Sequence, residues 1–183
     1  MQFRLREAQP KDIPFLVDIV ARTMPEVYRG IVPAEDMPER IDEVNSALLL
    51  QWPSIRVCEC TGNGAGAAHT AGDALLHPGG GGGALAGMVN VVSGSHISLL
   101  WVDTGYRRQG VGRMLLEHAE SVIFAAGHAE ASLEVYKPNV RAVQFYVAHG
   151  WRTQEEFVGR VGAMVLRMVK PRPAPPMPPS ATG

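Results

Sequence analysis

A chain of 183 residues with 17 basic against 18 acidic side chains, 46% hydrophobic content and two cysteines has the make-up of one ordinary globular domain. A net charge of -1 without a long basic run leaves no footprint for a nucleic-acid backbone or an anionic membrane surface, so neither is expected as a partner. No apolar stretch approaches the ~20 residues of a membrane span and the opening Met-Gln-Phe-Arg-Leu-Arg does not read as a signal peptide, so the expected location is the cytoplasm.

In chain order, Phe3 to Ala8 reads as a short strand and Pro10-Lys11-Asp12 as a helix start. The helix that follows carries Ile13, Leu16, Val17 and Val20 at helical spacing. A second helix is expected from Pro38 to Leu50, with Ile41, Val44 and Leu48 on its apolar face. Ile55 to Cys60 and Ala84 to Val92 read as the strands of a hairpin whose turn is enlarged by a Gly-rich insertion, 62–83, expected to be flexible because glycine is entropically expensive to order. Cys58 and Cys60, two apart on one strand, share a face without disulfide geometry. A zinc site drawing in His69 and His77 would lack a second ligand pair at recognised spacing, so buried thiols and no metal are expected.

His96 to Val102 is the next strand, followed by a glycine turn and a helix with Val111, Leu115, Ala119, Val122 and Ala126 on one face, stopping at Gly127. Ala131 to Val135 is a strand, Asn139 to His149 a helix, and Trp151 to Val169 two closing strands around Gly159 or Gly162. The Pro-rich 171–183 reads as a disordered tail behind a single domain, 1–170. This order fits an α/β (α+β) class with a central mixed sheet and helices on both faces. The closing strands are edge candidates that could pair with a second copy, making a homodimer.

The most informative segment is Leu99-Leu100-Trp101-Val102-Asp103-Thr104-Gly105-Tyr106-Arg107-Arg108-Gln109-Gly110-Val111-Gly112-Arg113. A strand runs into a tight turn and a helix, where Gly110 and Gly112 allow close approach and the first helical N–H groups are free to bind an anion. Arg107, Arg108 and Arg113 add positive charge at the rim, so a phosphate or pyrophosphate is expected. A phosphate loop of the NTPase kind is excluded because Val111-Gly112 stands where Lys-Ser or Lys-Thr belongs. A dinucleotide fingerprint fails too, since Leu115 replaces its third glycine.

Val102, Tyr106 and Arg107-Arg108-Gln109-Gly110-Val111-Gly112 resemble the Arg/Gln-x-x-Gly-x-Gly/Ala signature of the GCN5-related N-acetyltransferases, and Leu133-Glu134-Val135, Asn139, Ala142, Phe145-Tyr146 and Gly150-Trp151 resemble that family's second block. The resemblance implies one domain of that fold, with a mostly antiparallel sheet, and acetyl-CoA as cosubstrate. It implies that main-chain groups of Leu100, Trp101 and Val102 align the pantetheine arm and that the amides of Arg108, Gln109, Gly110, Val111, Gly112 and Arg113 cradle the pyrophosphate, with Arg107 at the rim of the same cofactor site. Asn139 would reach the pantetheine from the other side, besides capping its helix.

The implied reaction is direct attack of an amine on the thioester, which needs a base for the ammonium and a proton for the departing thiolate. Tyr146, two helical turns after Asn139, is the candidate acid; its other reading is a packed aromatic. Glu134 and His96 compete as base, His96 being expected on one strand face with Ser98, Leu100 and Val102. The acceptor is a small-molecule amine or a peptide N-terminus, unless the domain is a non-catalytic acyl-CoA-binding or sensor module. Glu26, Glu35, Asp36 and Glu39 would suit a cationic amine or simply be solvated.

Overall fold

The computed structural model describes residues 1–61 and 83–174. Its elements are β1 (Gln2–Glu7), α1 (Ile13–Val27), α2 (Met37–Gln51), β2 (Arg56–Thr61), β3 (Leu85–Val92), β4 (His96–Val102), α3 (Val111–Ala125), β5 (Glu130–Tyr136), α4 (Val140–Ala148), β6 (Arg152–Val158) and β7 (Met164–Pro171). Among the described residues the strands form one sheet, in the order β1-β2-β3-β4-β5-β7-β6. Every neighbouring pair is antiparallel except β4 and β5, which α3 joins as a crossover.

Both faces are covered, as the mixed pattern predicts. On one side α1 buries Phe15, Leu16, Ile19, Val20 and Met24 over Val57, Met88 and Trp101, while α2 buries only Leu48. On the other, α3 places Val111, Leu115, Leu116, Ala119 and Ile123 over Ala131, Leu133, Leu166 and Met168. The apolar stripe of α3 thus continues by steps of four to Ile123. Val122, expected on it, is 44% exposed, because a three-residue step from Ala119 turns it off the buried face.

Three expectations change or fall elsewhere. Of the two closing strands only β6 is an edge; β7 is inserted between β5 and β6. β7 includes Pro171, and the Arg172 N–H donates to Ala129 O at 2.8 Å. The Gly-rich insertion up to residue 82, the tail from residue 175, and the zinc partners His69 and His77 lie outside the described residues. Cys58 and Cys60 are both buried thiols, and burial pushes Cys58 up to about 11. No described helix is long and apolar enough to cross a membrane.

Candidate active site

The site grows from a defect in the sheet. β4 and β5 pair only at His96↔Ser132 and Ile97↔Leu133. Beyond that point β4 stays with β3 and β5 stays with β7, so the main-chain edges of Ser98–Val102 and Glu134–Tyr136 face one another unpaired across a wedge. A bulge accompanies the opening: β3 pairs Asn90 with Leu99 and Val91 with Ile97, skipping Ser98. The extra residue reverses the alternation of β4. Ile97, Leu100 and Val102 pack toward α3 and α4, whereas Leu99 and Trp101 pack toward α1.

That reversal corrects the placement of His96. It does not share a face with Leu100 and Val102; opposite to Ile97, it points to the α1–α2 side, where its Nδ1 lies 3.1 Å from Ser132 Oγ. Ser98 is fixed by Asn90, whose Nδ2 donates to Ser98 Oγ at 3.3 Å and to Gln51 Oε1 at 2.5 Å. These groups floor a cavity of about 100 Å³ under α2, which Val44, Leu48 and Leu99 also line.

At the wide end of the wedge sits the glycine turn. Arg108 (φ 60°) and Gly110 (φ 87°) both take left-handed backbone, which reverses the chain twice before α3 starts. The first described N–H to bond back is that of Met114, to Gly110 O at 3.0 Å; the amides of Val111, Gly112 and Arg113 precede any intrahelical acceptor. Gln109 Nε2 braces the turn on Gly105 O at 2.9 Å. A Cβ on Gly112 would meet Phe145 at 3.5 Å and Val102 at 3.6 Å, so any longer side chain there would enter the space between α3 and α4. Arg107 pairs with Glu26 and Arg113 with Glu117, while Arg108 has no ionic partner among the described residues. A turn of this kind, with bare amides and an uncommitted guanidinium, can hold a pyrophosphate.

The opposite lip is α4. The Asn139 side chain caps it, accepting from the Ala142 N–H at 3.3 Å, in keeping with the expected cap. Phe145 and Tyr146 follow, with ring centroids 5.3 Å apart. Tyr146 is 9% exposed, and its hydroxyl has no hydrogen-bond partner among the described residues. Burial, with the Tyr28 phenol adding to it, pushes its ionisation well above the ordinary phenol range. Behind it, Trp151 packs at 6.0 Å and is itself pinned: its Nε1 donates to Glu120 Oε1 at 2.8 Å, and Lys170 Nζ donates to Glu120 Oε2 at 2.7 Å.

On the α1–α2 side, His96, Ser132, Glu134 and Tyr136 line one face. Burial lowers the His96 imidazole, the Glu134 charge opposes this and the Arg167 charge adds to it, so the ring is neutral at pH 7. Glu134 accepts from Arg167 Nη2 at 3.0 Å, and Arg167 Nη1 donates to Glu155 at 3.0 Å. The two base candidates therefore share a face, but the Glu134 carboxylate is committed to a guanidinium. Trp101 is anchored by its Nε1 donating to Thr23 Oγ1 at 2.6 Å, and Tyr28 stands against it. Sequence reasoning missed Glu120 and Ser132. Glu120, an acidic residue in the apolar stripe of α3, was the one visible signal; Ser132 lies on a strand whose neighbour only the fold supplies.

Comparison with known proteins agrees with this geometry. The family model described as "Acetyltransferase (GNAT) domain" matches residues 67–171. Similar solved structures include the PaiA N-acetyltransferase of Thermoplasma acidophilum in complex with coenzyme A, at 17% identity and TM-score 0.69, covering 94% of this chain and 100% of that one. A GCN5-related N-acetyltransferase of Rhodopseudomonas palustris is 14% identical, with TM-score 0.71 and coverage of 94% and 97%. The yncA protein of Salmonella typhimurium with acetyl-CoA is 15% identical, with TM-score 0.58 and coverage of 96% and 98%. No curated protein matches by sequence.

Proposed function

The chain belongs to the acetyltransferase (GNAT) family, and from that premise we propose that it is an N-acetyltransferase passing the acetyl group of acetyl-CoA to a primary amine. The observation that carries this reading is the wedge between β4 and β5, which has bare helical amides at its wide end and a buried, unpartnered phenol beside it. The residues present fit the cosubstrate. The amides of Val111, Gly112 and Arg113 suit the pyrophosphate, with Arg108 adding charge, and the free edge of Leu100–Val102 suits an extended amide-bearing arm.

The chemistry follows from what each side chain can do. The amine nitrogen forms a bond to the acetyl carbon as the carbon–sulfur bond breaks, and the proton that the ammonium must first lose passes to a base. His96 is neutral and lies on the acceptor side with its Nδ1 against Ser132, which suits it to that task better than Glu134. Tyr146 keeps its proton until a thiolate forms, and can then give it up without first separating charge. Asn139, besides capping α4, is our candidate to reach the pantetheine arm from the far lip. We read the enzyme as cytoplasmic and acting on small amines there, and the exposed edge strand β6 is where a second copy would add.

The test is release of free thiol from acetyl-CoA by the full chain against polyamines, amino acids and peptides with free N-termini. Amine-dependent release is expected. Tight acetyl-CoA binding without release by any amine would show a binding module instead.

A further inference from the structure

Tyr28, capping the end of α1, and Tyr136, ending β5, stand together at the acceptor side of the wedge, and Arg40, in the first turn of α2, lies near enough for its charge to be felt by both phenols. The two phenol rings stand edge-on with centroids 5.3 Å apart, and Tyr28 also packs on Trp101 at 6.2 Å. Arg40 Nη1 is held by Glu43 Oε2, and Glu43 Oε1 receives Arg160 Nη1 from the β6–β7 turn at 3.3 Å. Two guanidinium groups thus share one carboxylate. Arg40 Nε is buried with no hydrogen-bond partner, and among the described residues neither the Tyr28 nor the Tyr136 hydroxyl has one.

A corner that offers a guanidinium N–H and phenolic O–H groups asks for an acceptor-rich, planar anion. Glu43, with Glu39 and Asp42 on the same stretch of α2, would repel a dianion such as a phosphate monoester more strongly than a singly charged carboxylate. On the acetyltransferase reading above, which this inference rests on, we propose that the acceptor is an amino acid whose carboxylate is bound by Arg40 with Tyr28 and Tyr136. The carboxylate stands a short distance from the reacting nitrogen. Tyr146, at the reacting end, is close enough to Tyr28 for the two phenols to influence each other's ionisation. Glu43 is the positioning residue: it aims the guanidinium and also competes with the ligand for it.

The test pairs amino acids with their decarboxylated counterparts, alanine with ethylamine, phenylalanine with phenethylamine and 4-aminobutanoate with propylamine, as acceptors for the full chain. The carboxylate member is expected to have at least tenfold higher kcat/KM. Arg40→Gln should abolish that preference through KM, with Arg40→Lys restoring part of it, while Glu43→Gln should lower KM for the amino acids by removing their competitor. Equal or better use of the plain amines would overturn the proposal, as would Arg40→Gln and Glu43→Gln impairing both partners alike, which is the pattern of a purely structural ion pair. The same amino acids are titrated calorimetrically into the full chain without cosubstrate. Absence of saturable, Arg40-dependent binding there overturns the carboxylate site whatever the turnover shows. Failure to bind acetyl-CoA in a separate titration would instead sink the acetyltransferase reading.

Discussion

Tyr146 is kept as a phenol by its surroundings, since burial disfavours the charged form and no described group hydrogen-bonds its oxygen. Tyr146→Phe removes that oxygen and leaves the packing against Phe145 and Trp151 in place. We expect kcat to fall by roughly 10²–10⁴-fold with acetyl-CoA affinity unchanged, measured by steady-state kinetics beside a binding titration. Wild-type turnover in an assay limited by chemistry would leave Tyr146 a packed aromatic only. His96 gives a second test at this scale, in pH. Its folded value lies below the ~6.5 of a free imidazole, so kcat/KM should rise with pH through that folded value. His96→Gln should flatten this limb; an unchanged profile would return the base role to Glu134. The stability sign is the same: between the folded value and ~6.5 the unfolded chain binds more protons, so stability rises with pH across that window. His118, also lowered by burial and by Arg56, adds in the same direction.

At the level of elements, the wedge needs β4 and β5 to start together and then part, and the bulge at Ser98 lets β4 follow β3 while its side chains change face. What holds the far lip is a junction between α3, the turn after α4, and β7, centred on Glu120. This carboxylate is only 8% exposed and satisfies both Trp151 and Lys170. Glu120→Ala strands an indole N–H and an ammonium in a partly buried place, where losing one partner of a buried pair costs about 3 kcal/mol. A drop of that size should appear in urea unfolding, accompanied by a lower kcat as Trp151 loosens behind Tyr146. A stability change under about 0.5 kcal/mol would show that the junction is a surface pair in effect.

For the molecule as a whole, a ligand that spans the wedge touches α3, β4 and α4 together, so its binding is read as global stability. Acetyl-CoA at a hundred times its Kd should add about 2.7 kcal/mol, which for a domain of this length is a rise in Tm of roughly 5–10 °C. Gly112→Asp should bind too weakly to show it, because the added carboxylate meets Phe145 and opposes the phosphates. A full thermal shift in Gly112→Asp would move the pyrophosphate away from this turn.

Features that depend on near neighbours along the chain were legible without a structure. The strands and helices fall close to where the periodicity put them, the cap at Asn139 forms three residues ahead of its partner Ala142, and the double-glycine turn opens α3 with unpaired amides, all within a few residues of chain. Family resemblance was legible for the same reason, being carried by contiguous motifs. The remaining features emerge on folding, because they depend on residues brought together from afar. The face of His96 follows from a bulge against β3, which strict alternation along β4 could not foretell. The edge passes to β6 because β7 pairs with β5, and Glu120 becomes a buried anchor because Trp151 and Lys170 arrive from 31 and 50 residues away. Likewise the Tyr28–Tyr136 ring contact joins the end of α1 to the end of β5, and the Glu43–Arg160 contact ties α2 to the β6–β7 turn across 117 residues. No local pattern encodes such a meeting; packing of the helices on a common sheet produces it.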